Sequence, residues 1–284
     1  QDALPMRFGE ELGAFASQIA HARSVVARAA YELHALPLGG TAVGTGFGAD
    51  PRFAAAVVAV LSGRAGFPFT VAADRFALIA AHDPMVALHG ALRVLAVALS
   101  KIANDLRLLA SGPRAGLAEV VLPANEPGSS IMPGKVNPTQ CESLAMIACL
   151  VFGNDAAMAV AGSIGHLQLN TAKPLIAHLV LQSVAVLGDG VSSFTRNAIA
   201  GLAPDAERMR HYVERSLMLA TALSAHIGYD RAAQIARQAA DRDITLREAA
   251  IEAGVAATDF DRWVQPERML GSEPVVAGDQ PGRL

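Results

Sequence analysis

Apolar residues recur at helical spacing through most of the chain, and the breaks between them predict where the helices end. Between positions 6 and 35 they follow a period near 3.6, which predicts one long amphipathic helix. The glycine-rich run 39–46 ends this helix, because glycine disfavours a helix interior. A second, shorter helix is predicted over residues 51–62.

Three further helices of about 25 residues are predicted in the middle of the chain. The first covers residues 83–109 and carries Pro84 in its first turn, where proline is well tolerated. The second is expected over 139–160. The third is expected over 169–199, with a kink at Pro174, because an internal proline removes a backbone hydrogen bond.

The predicted helix length changes at the Ala203–Pro204 junction, because the helices predicted beyond it are short. One of them begins with Thr245 and Glu248, three residues apart, which is the pattern of a capping box. No segment favours a strand. The predicted fold class is therefore all-α, with a long-helix bundle over residues 1–203 and a small C-terminal helical domain over residues 204–284.

The composition favours closely packed helices and an oligomer. Of the 284 residues, 52% are hydrophobic and only 5% aromatic, so small aliphatic side chains carry the apolar excess. Much of this surface is expected to lie between subunits, because obligate interfaces resemble a divided core. The net charge of −3 comes without clustered basic residues, which argues against a nucleic-acid partner.

The composition also bears on membranes, cysteines and metals. The longest apolar stretch, 86–110, contains several charged side chains, so no membrane span and no membrane partner are predicted. Cys141 and Cys149 lie eight residues apart on one predicted helix, too far for a disulfide, and two free thiols are typical of the cytoplasm. The histidines show no metal-ligand spacing, so neither a metal nor a cofactor is predicted.

The irregular segment 122–142 carries the candidate chemistry. Long loops between helices of a compact domain are uncommon unless they serve a function. Ser129, Ser130, Lys135 and Asn137 place two hydroxyls, a cation and an amide on a loop hinged by glycine and proline. Such groups can bind a carboxylate, and a serine beside an oxyanion-stabilising group can act as base or nucleophile. A polar surface loop is an equal alternative on the residues alone.

A family resemblance bears on this choice. The run Gly128-Ser129-Ser130-Ile131-Met132-Pro133-Gly134-Lys135-Val136-Asn137 is similar to Gly-Ser-Ser-x-Met-x-x-Lys-x-Asn, the signature of the fumarase/aspartase superfamily. The flanks 122–127 and 138–142 resemble the class II fumarases within it, as do runs 38–46 and 101–109. Aspartases usually carry alanine where Gly134 stands. One departure is Ser224-Ala225, where fumarases usually have Asn-Pro.

The resemblance implies a reaction and roles for the loop residues. Class II fumarases hydrate fumarate reversibly to (S)-malate, and Ser129 matches the base that removes a proton from the dicarboxylic acid. Its alkoxide would need stabilisation from backbone N–H groups, Lys135 or a helix N-terminus. Glu142 matches a carboxylate that pairs with the family's catalytic histidine. Positions that match substrate-binding residues are Ser130, Lys135, Val136 and Asn137.

The resemblance also implies a homotetramer whose active sites combine three subunits, with a small dicarboxylate as substrate. In the family, the catalytic histidine lies directly before the residues that match Gln1. We therefore expect this chain to lack the family's N-terminal part and to act only within a full-length tetramer. Two alternatives stay open: an aspartase-type ammonia lyase, and a non-catalytic structural or assembly fragment.

Overall fold

The computed structural model describes residues 1–271, and most of these residues are helical, which confirms the predicted all-α class. The α-helices in the described residues are α1 (Phe8–Tyr31), α2 (Phe53–Ala65), α3 (Arg75–Ala80), α4 (Asp83–Leu109), α5 (Thr139–Ser163), α6 (Lys173–Asn197), α7 (Ala206–Arg215), α8 (Ala220–Ile227), α9 (Tyr229–Arg242), α10 (Leu246–Glu252) and α11 (Ala257–Trp263). Four two-residue strands also occur: β1 (Ala35–Leu36), β2 (Thr70–Val71), β3 (Val120–Val121) and β4 (Ala203–Pro204). Strands β1 and β2 pair in parallel.

The described chain divides into two compact units. Residues 14–203 form one unit, and residues 1–13 join the chain from Pro204 onward in the other. The domain bounds of 1–203 and 204–284 stay a prediction, which places residues 1–13 in the bundle. Helical periodicity shows which face of α1 is apolar, but not which unit its first turns contact.

The larger unit is built on α4, α5 and α6. Their shared core is rich in alanine and leucine, including Leu99, Leu106, Leu144, Ala148 and Leu187. Two glycines show how closely these helices approach. A Cβ at Gly190 of α6 would lie 2.4 Å from Ile147 Cδ1 of α5, and one at Gly162 of α5 would lie 2.6 Å from Val86 Cγ2 of α4. Small side chains thus permit tight interhelical contact.

The ends of the long helices follow the proline positions, with one correction. Helix α4 begins at Asp83 with Pro84 in its first turn, as predicted. Helix α6 begins at Lys173, so Pro174 also lies in a first turn and does not kink the helix. The predicted start near residue 169 is wrong because Asn170 closes the preceding turn. Its buried side chain donates to Ala161 O at 3.0 Å and accepts from Ala172 N at 2.7 Å.

A buried polar layer connects the three long helices. His89 of α4 has no exposed surface; its Nδ1 lies 3.0 Å from Asp155 Oδ1 of α5, and its Nε2 lies 2.9 Å from Ser183 Oγ of α6. Asn154 Nδ2 also donates to Ser183 Oγ at 3.0 Å. Arg93 completes the layer with a 2.6 Å bond to Asp155 Oδ2. The buried side chains of His89, Asn154 and Ser183 therefore all have partners, as stability requires.

The three long helices are also long and apolar enough to cross a membrane, judged by length and composition alone. Between 28% and 39% of each apolar window is buried within the chain. Much of their apolar surface is therefore not covered by the chain itself.

The second unit packs its short helices around one apolar cluster that contains Leu223, Ile235, Leu246 and Phe260. The predicted capping box at the start of α10 is confirmed. Thr245 Oγ1 accepts from Glu248 N at 3.2 Å, and Thr245 N donates to Glu248 Oε2 at 2.8 Å. This reciprocal pair satisfies two backbone donors that a helix start would otherwise leave free.

We predict that Ser183→Ala lowers the free energy of unfolding by about 1–3 kcal/mol, because it leaves His89 Nε2 and an N–H of Asn154 buried without a partner. Urea unfolding followed by circular dichroism measures this change. Ser192→Ala, on the exposed face of the same helix, is the matched control and should stay within about 0.5 kcal/mol of the parent. Equal effects of the two substitutions would contradict a stabilising role for the polar layer.

Candidate active site

The loop that precedes α5 is anchored to the end of α6. Asn125 Nδ2 donates to the carbonyl oxygen of Asn197 at 2.9 Å. Pro123 packs against Gly201, where a Cβ would lie 2.7 Å from Pro123 Cγ. These contacts hold the first part of the loop, so the signature residues that follow start from a defined position.

Residues 128–137 fold back on themselves through three hydrogen bonds. Gly128 N donates to Lys135 O at 2.8 Å, and Lys135 N donates to Met132 O at 3.2 Å. Asn137 Nδ2 donates to Gly128 O at 2.9 Å. The turn at Gly134 uses a φ of 78°, a conformation that glycine adopts without steric cost. The bonds bring the backbones of residues 128 and 135 side by side.

Glycine is required at position 128 because two backbone segments approach it closely. A Cβ built there would lie 2.7 Å from Lys135 O and 3.0 Å from Asn137 N. Both neighbours are backbone atoms, which cannot turn aside as a flexible side chain can. The first residue of the signature thus allows the loop to close.

The hydroxyl of Ser129 lies where two backbone N–H groups point. Its Oγ accepts from Ile131 N at 3.3 Å and from Met132 N at 3.2 Å, and the residue is half-buried. Backbone donors aimed at one oxygen favour negative charge on that oxygen. Of the three sources of stabilisation expected for a Ser129 alkoxide, the structure places the backbone N–H groups in contact with Oγ.

The other predicted site residues differ in their exposure to solvent and in their hydrogen bonds. Asn137 is half-buried and bonded within the loop, whereas Ser130, Lys135 and Val136 are exposed. Glu142 lies in the first turn of α5, exposed, with its backbone N–H bonded to Pro138 O at 3.1 Å. Within residues 1–271, its carboxylate has no hydrogen bond or ion pair. The backbones of residues 128–137 are thus brought together by the loop's own hydrogen bonds, and Glu142 lies on the helix that follows.

The thiol beside the loop is not suited to nucleophilic chemistry. Cys141 is buried in the first turn of α5, and this burial raises the pKa of its thiol to about 11. Cys149 is exposed, and both thiols are free, as their spacing predicts. Among residues 1–271, no group of three or more His, Cys, Asp or Glu is arranged to hold a metal ion.

Two features of this region do not follow from the sequence reasoning. The anchor from Asn125 to Asn197 joins residues 72 positions apart, so no local pattern signals it. The turn that directs two N–H groups at Ser129 is local, and serine is known to accept bonds from backbone groups two or three residues ahead. The sequence Ser129 to Met132 could therefore have been used to predict these two hydrogen bonds.

The architecture is all-α. It consists of a bundle of long helices and a serine-containing loop that leads into α5, and it is the architecture of a class of lyases. The lyase family model matches residues 1–153, and the model of the fumarase C C-terminus matches residues 219–271. The chain belongs to the fumarase/aspartase family of lyases.

Individual relatives agree with this assignment. The chain is 56% identical over 270 residues to the class II fumarate hydratase of Pseudomonas syringae pv. tomato, covering 95% of this chain and 58% of that relative. A class II fumarase from Schistosoma mansoni superposes with a TM-score of 0.92 at 39% identity, covering 96% of this chain and 60% of that one. A fumarate lyase:delta crystallin structure from Brucella melitensis, bound to cobalt, gives a TM-score of 0.90 at 40% identity over 95% of this chain and 58% of that one. The chain thus spans about three fifths of the length of these relatives.

We predict that Gly128→Ala opens the loop, because the added methyl group collides with Lys135 O and Asn137 N. Amide hydrogen exchange should become faster at residue 128 and at Lys135, whose N–H groups donate to Lys135 O and Met132 O in the closed loop. Gly134→Ala is the control: it meets no atom within 4 Å and costs only about 1–2 kcal/mol of backbone strain. A Gly128→Ala chain with unchanged exchange at these amides would refute the close-approach argument.

Proposed function

We propose that this chain supplies the serine base and part of the substrate-binding site of a class II fumarate hydratase, which adds water reversibly to fumarate to give (S)-malate. The observation that carries the proposal is the pair of backbone N–H groups at 3.3 and 3.2 Å from Ser129 Oγ. The names of the relatives that match at 50–56% identity support the choice of reaction.

In the direction of malate dehydration, Ser129 removes the proton next to one carboxylate. A serine hydroxyl at its ordinary pKa is a weak base, so its alkoxide must be stabilised before it can act. The N–H groups of Ile131 and Met132 provide fixed dipoles that need no rearrangement during the reaction. The same geometry keeps Oγ oriented, which reduces the entropic cost of reaching the transition state.

The carbanion formed by this step carries its charge on the substrate carboxylate. The ammonium of Lys135 and the second N–H of the Asn137 amide are the groups of this loop that can bind such a dianion. Their contribution grows as negative charge builds up on that carboxylate, so they stabilise the transition state more than the bound substrate, and this difference is what accelerates the reaction. Ser130 and Val136 complete the loop surface that faces solvent and substrate.

In this proposal the proton donor to the leaving hydroxyl comes from another subunit. Glu142 is exposed and has no partner among the described residues, so it is free to orient an incoming acid. Such a division of the site among chains requires association. The enzyme is accordingly proposed to be cytoplasmic and homotetrameric, with a dicarboxylate as its small-molecule partner.

The exposed faces of the long helices support association with further copies of the chain. Helix α5 buries Leu144 and Val151 but leaves Met146 at 67% and Val160 at 62% exposure. On α6, Leu181 is 69% exposed. Helices that are apolar around their circumference are buried in larger cores or in membranes. We favour copies of the chain over lipid because exposed Arg93 and Lys101 on α4 would be costly in a bilayer.

Ser129→Ala tests the catalytic role. A fusion that places the N-terminal portion of the Pseudomonas syringae relative before Gln1 should hydrate fumarate. The reaction is monitored as a decrease in the ultraviolet absorbance of fumarate. Ser129→Ala should lower kcat by at least about 10²-fold with little change in KM, because it removes the base and leaves the cation and amide in place. Ser163→Ala, an exposed serine at the end of α5, should retain full activity.

Three outcomes of this assay would overturn the proposal. An unreduced rate for the Ser129→Ala fusion would show that another group is the base. Turnover of fumarate only in the presence of ammonia would identify an ammonia lyase. A stable oligomer of the fusion without any turnover would identify a structural or assembly role.

Leu181→Asp tests the association. A charge in the middle of an apolar helix–helix interface is strongly unfavourable unless it is paired, so the variant should lose most of the tetramer at micromolar concentration. Light scattering coupled to size exclusion measures the mass. Leu167→Asp is the control, because Leu167 is still more exposed, at 86%, but lies in the connection between α5 and α6. If both variants remain tetrameric, the interface does not include Leu181 of α6.

A further inference from the structure

The chain contains only three lysines, and their surroundings differ sharply. Lys101 forms an ion pair with Asp105 and lies 4.7 Å from the centre of the Phe15 ring. Lys135 lies on the signature loop. Lys173 is exposed, but within residues 1–271 it has no carboxylate within ion-pair distance. None of the described carboxylates therefore pairs directly with its ammonium.

The amine of Lys173 instead contacts a histidine. Nζ lies 2.8 Å from His82 Nε2 and 3.1 Å from the carbonyl oxygen of Ile79 in α3. His82 directly precedes α4, and Lys173 is the first residue of α6. The amine and the imidazole thus lie beside the N-terminal ends of two helices of 27 and 25 residues, whose dipoles disfavour additional positive charge there.

The electrostatics of this pair agree with its geometry. Burial lowers the pKa of Lys173. Burial also lowers the pKa of His82, the positive charge of Lys173 lowers it further, and Asp83 acts in the opposite sense. Since His82 is then neutral near pH 7, its Nε2 has a lone pair that can receive a proton from the amine. The dyad combines a nucleophile and its base in hydrogen-bond contact, the arrangement that activates amines for attack on carbonyl carbon.

We propose that Lys173 is an acylation site, modified by acyl thioesters faster than Lys101 or Lys135, with His82 as the base. This site is independent of the function proposed above. It uses none of the signature-loop residues, and it lies beside the N-terminal ends of α4 and α6, whereas the loop precedes the N-terminal end of α5.

The step involves no oxidation or reduction. The Nζ lone pair attacks the thioester carbonyl carbon, and the new C–N bond forms as one Nζ proton passes to His82 Nε2. The C–S bond then breaks, and the thiolate leaves with the bonding electrons and takes up a proton. The products are an Nζ-acyl-lysine and a free thiol. The acylated nitrogen has one N–H, so it can no longer donate to both His82 and Ile79 O, and the side chain loses its charge.

Because the chain has three lysines, one labelling experiment compares all of them. The purified 284-residue chain is exposed to a limiting amount of S-acetyl-N-acetylcysteamine at pH 7.5, and acetylation at each lysine is followed by mass spectrometry of proteolytic peptides. We expect the initial rate at Lys173 to exceed both other rates at least about fivefold, as expected for a nucleophile with an adjacent base. Unfolding in guanidinium should make the three rates similar. Native rates at Lys101 or Lys135 equal to or above that at Lys173 would overturn the proposal.

His82→Gln tests the base. Glutamine retains a hydrogen-bond acceptor for Nζ but takes up no proton near neutral pH, so the rate at Lys173 should fall several-fold while the other two rates stay constant. His178→Gln, an exposed histidine on α6, should change none of them. An unchanged rate at Lys173 in the His82→Gln chain would refute the role of His82. Should that variant fail to fold, the comparison of native and unfolded parent chain still decides the proposal.

Discussion

The apolar circumference of α5 is the constraint on which the rest of this structure depends. A helix that is hydrophobic on all sides must be covered on all sides. Helices α4 and α6 cover one side, where Leu144, Val151 and Met158 are buried, and glycine and alanine let the backbones approach closely. The remaining side needs another cover. The association proposed above thus has its cause in the fold, because α5, the helix that carries the signature loop, is only partly buried within the described residues.

Apolar side chains alone would fix the register of these helices weakly. Alanine- and leucine-rich surfaces offer similar packing after a shift of one turn, whereas a buried hydrogen-bonded layer does not. His89 with Asp155 and Ser183 has complementary partners only in the observed register. Asp155 lies 13 residues, about 20 Å, from Glu142 along α5. A polar contact deep in the bundle thereby positions the helix start on which the candidate site depends.

The parts of this architecture that are visible in the sequence are those with local causes. Pro84 at the start of α4 and the capping box of Thr245 and Glu248 are recognisable because each satisfies backbone groups of its own turn. The signature loop is visible through the resemblance of residues 128–137 to the family signature. The layer around His89 is not visible, because Asp155 and Ser183 lie 66 and 94 residues away. Pro174 is ambiguous in sequence, since the same residue starts a helix or kinks one. The side chain of the buried Asn170 decides between them, and its burial is a tertiary property.

In the candidate site, too, some features depend on neighbouring residues in the sequence and others on distant ones. The hydrogen bonds that orient Ser129 come from residues 131 and 132, and those that close the loop join residues 128 to 137. The Ser129 hydroxyl is therefore oriented by bonds within ten consecutive residues, and this orientation needs no other segment of the chain. Glu142, by contrast, points to solvent with no partner in the described chain. A general acid on the opposite face of the substrate cannot be supplied by so short a loop, because base and acid must stand on either side of the reacting bond. The acid is therefore proposed to come from another chain, and the uncovered side of α5 is the surface on which we expect such chains to meet.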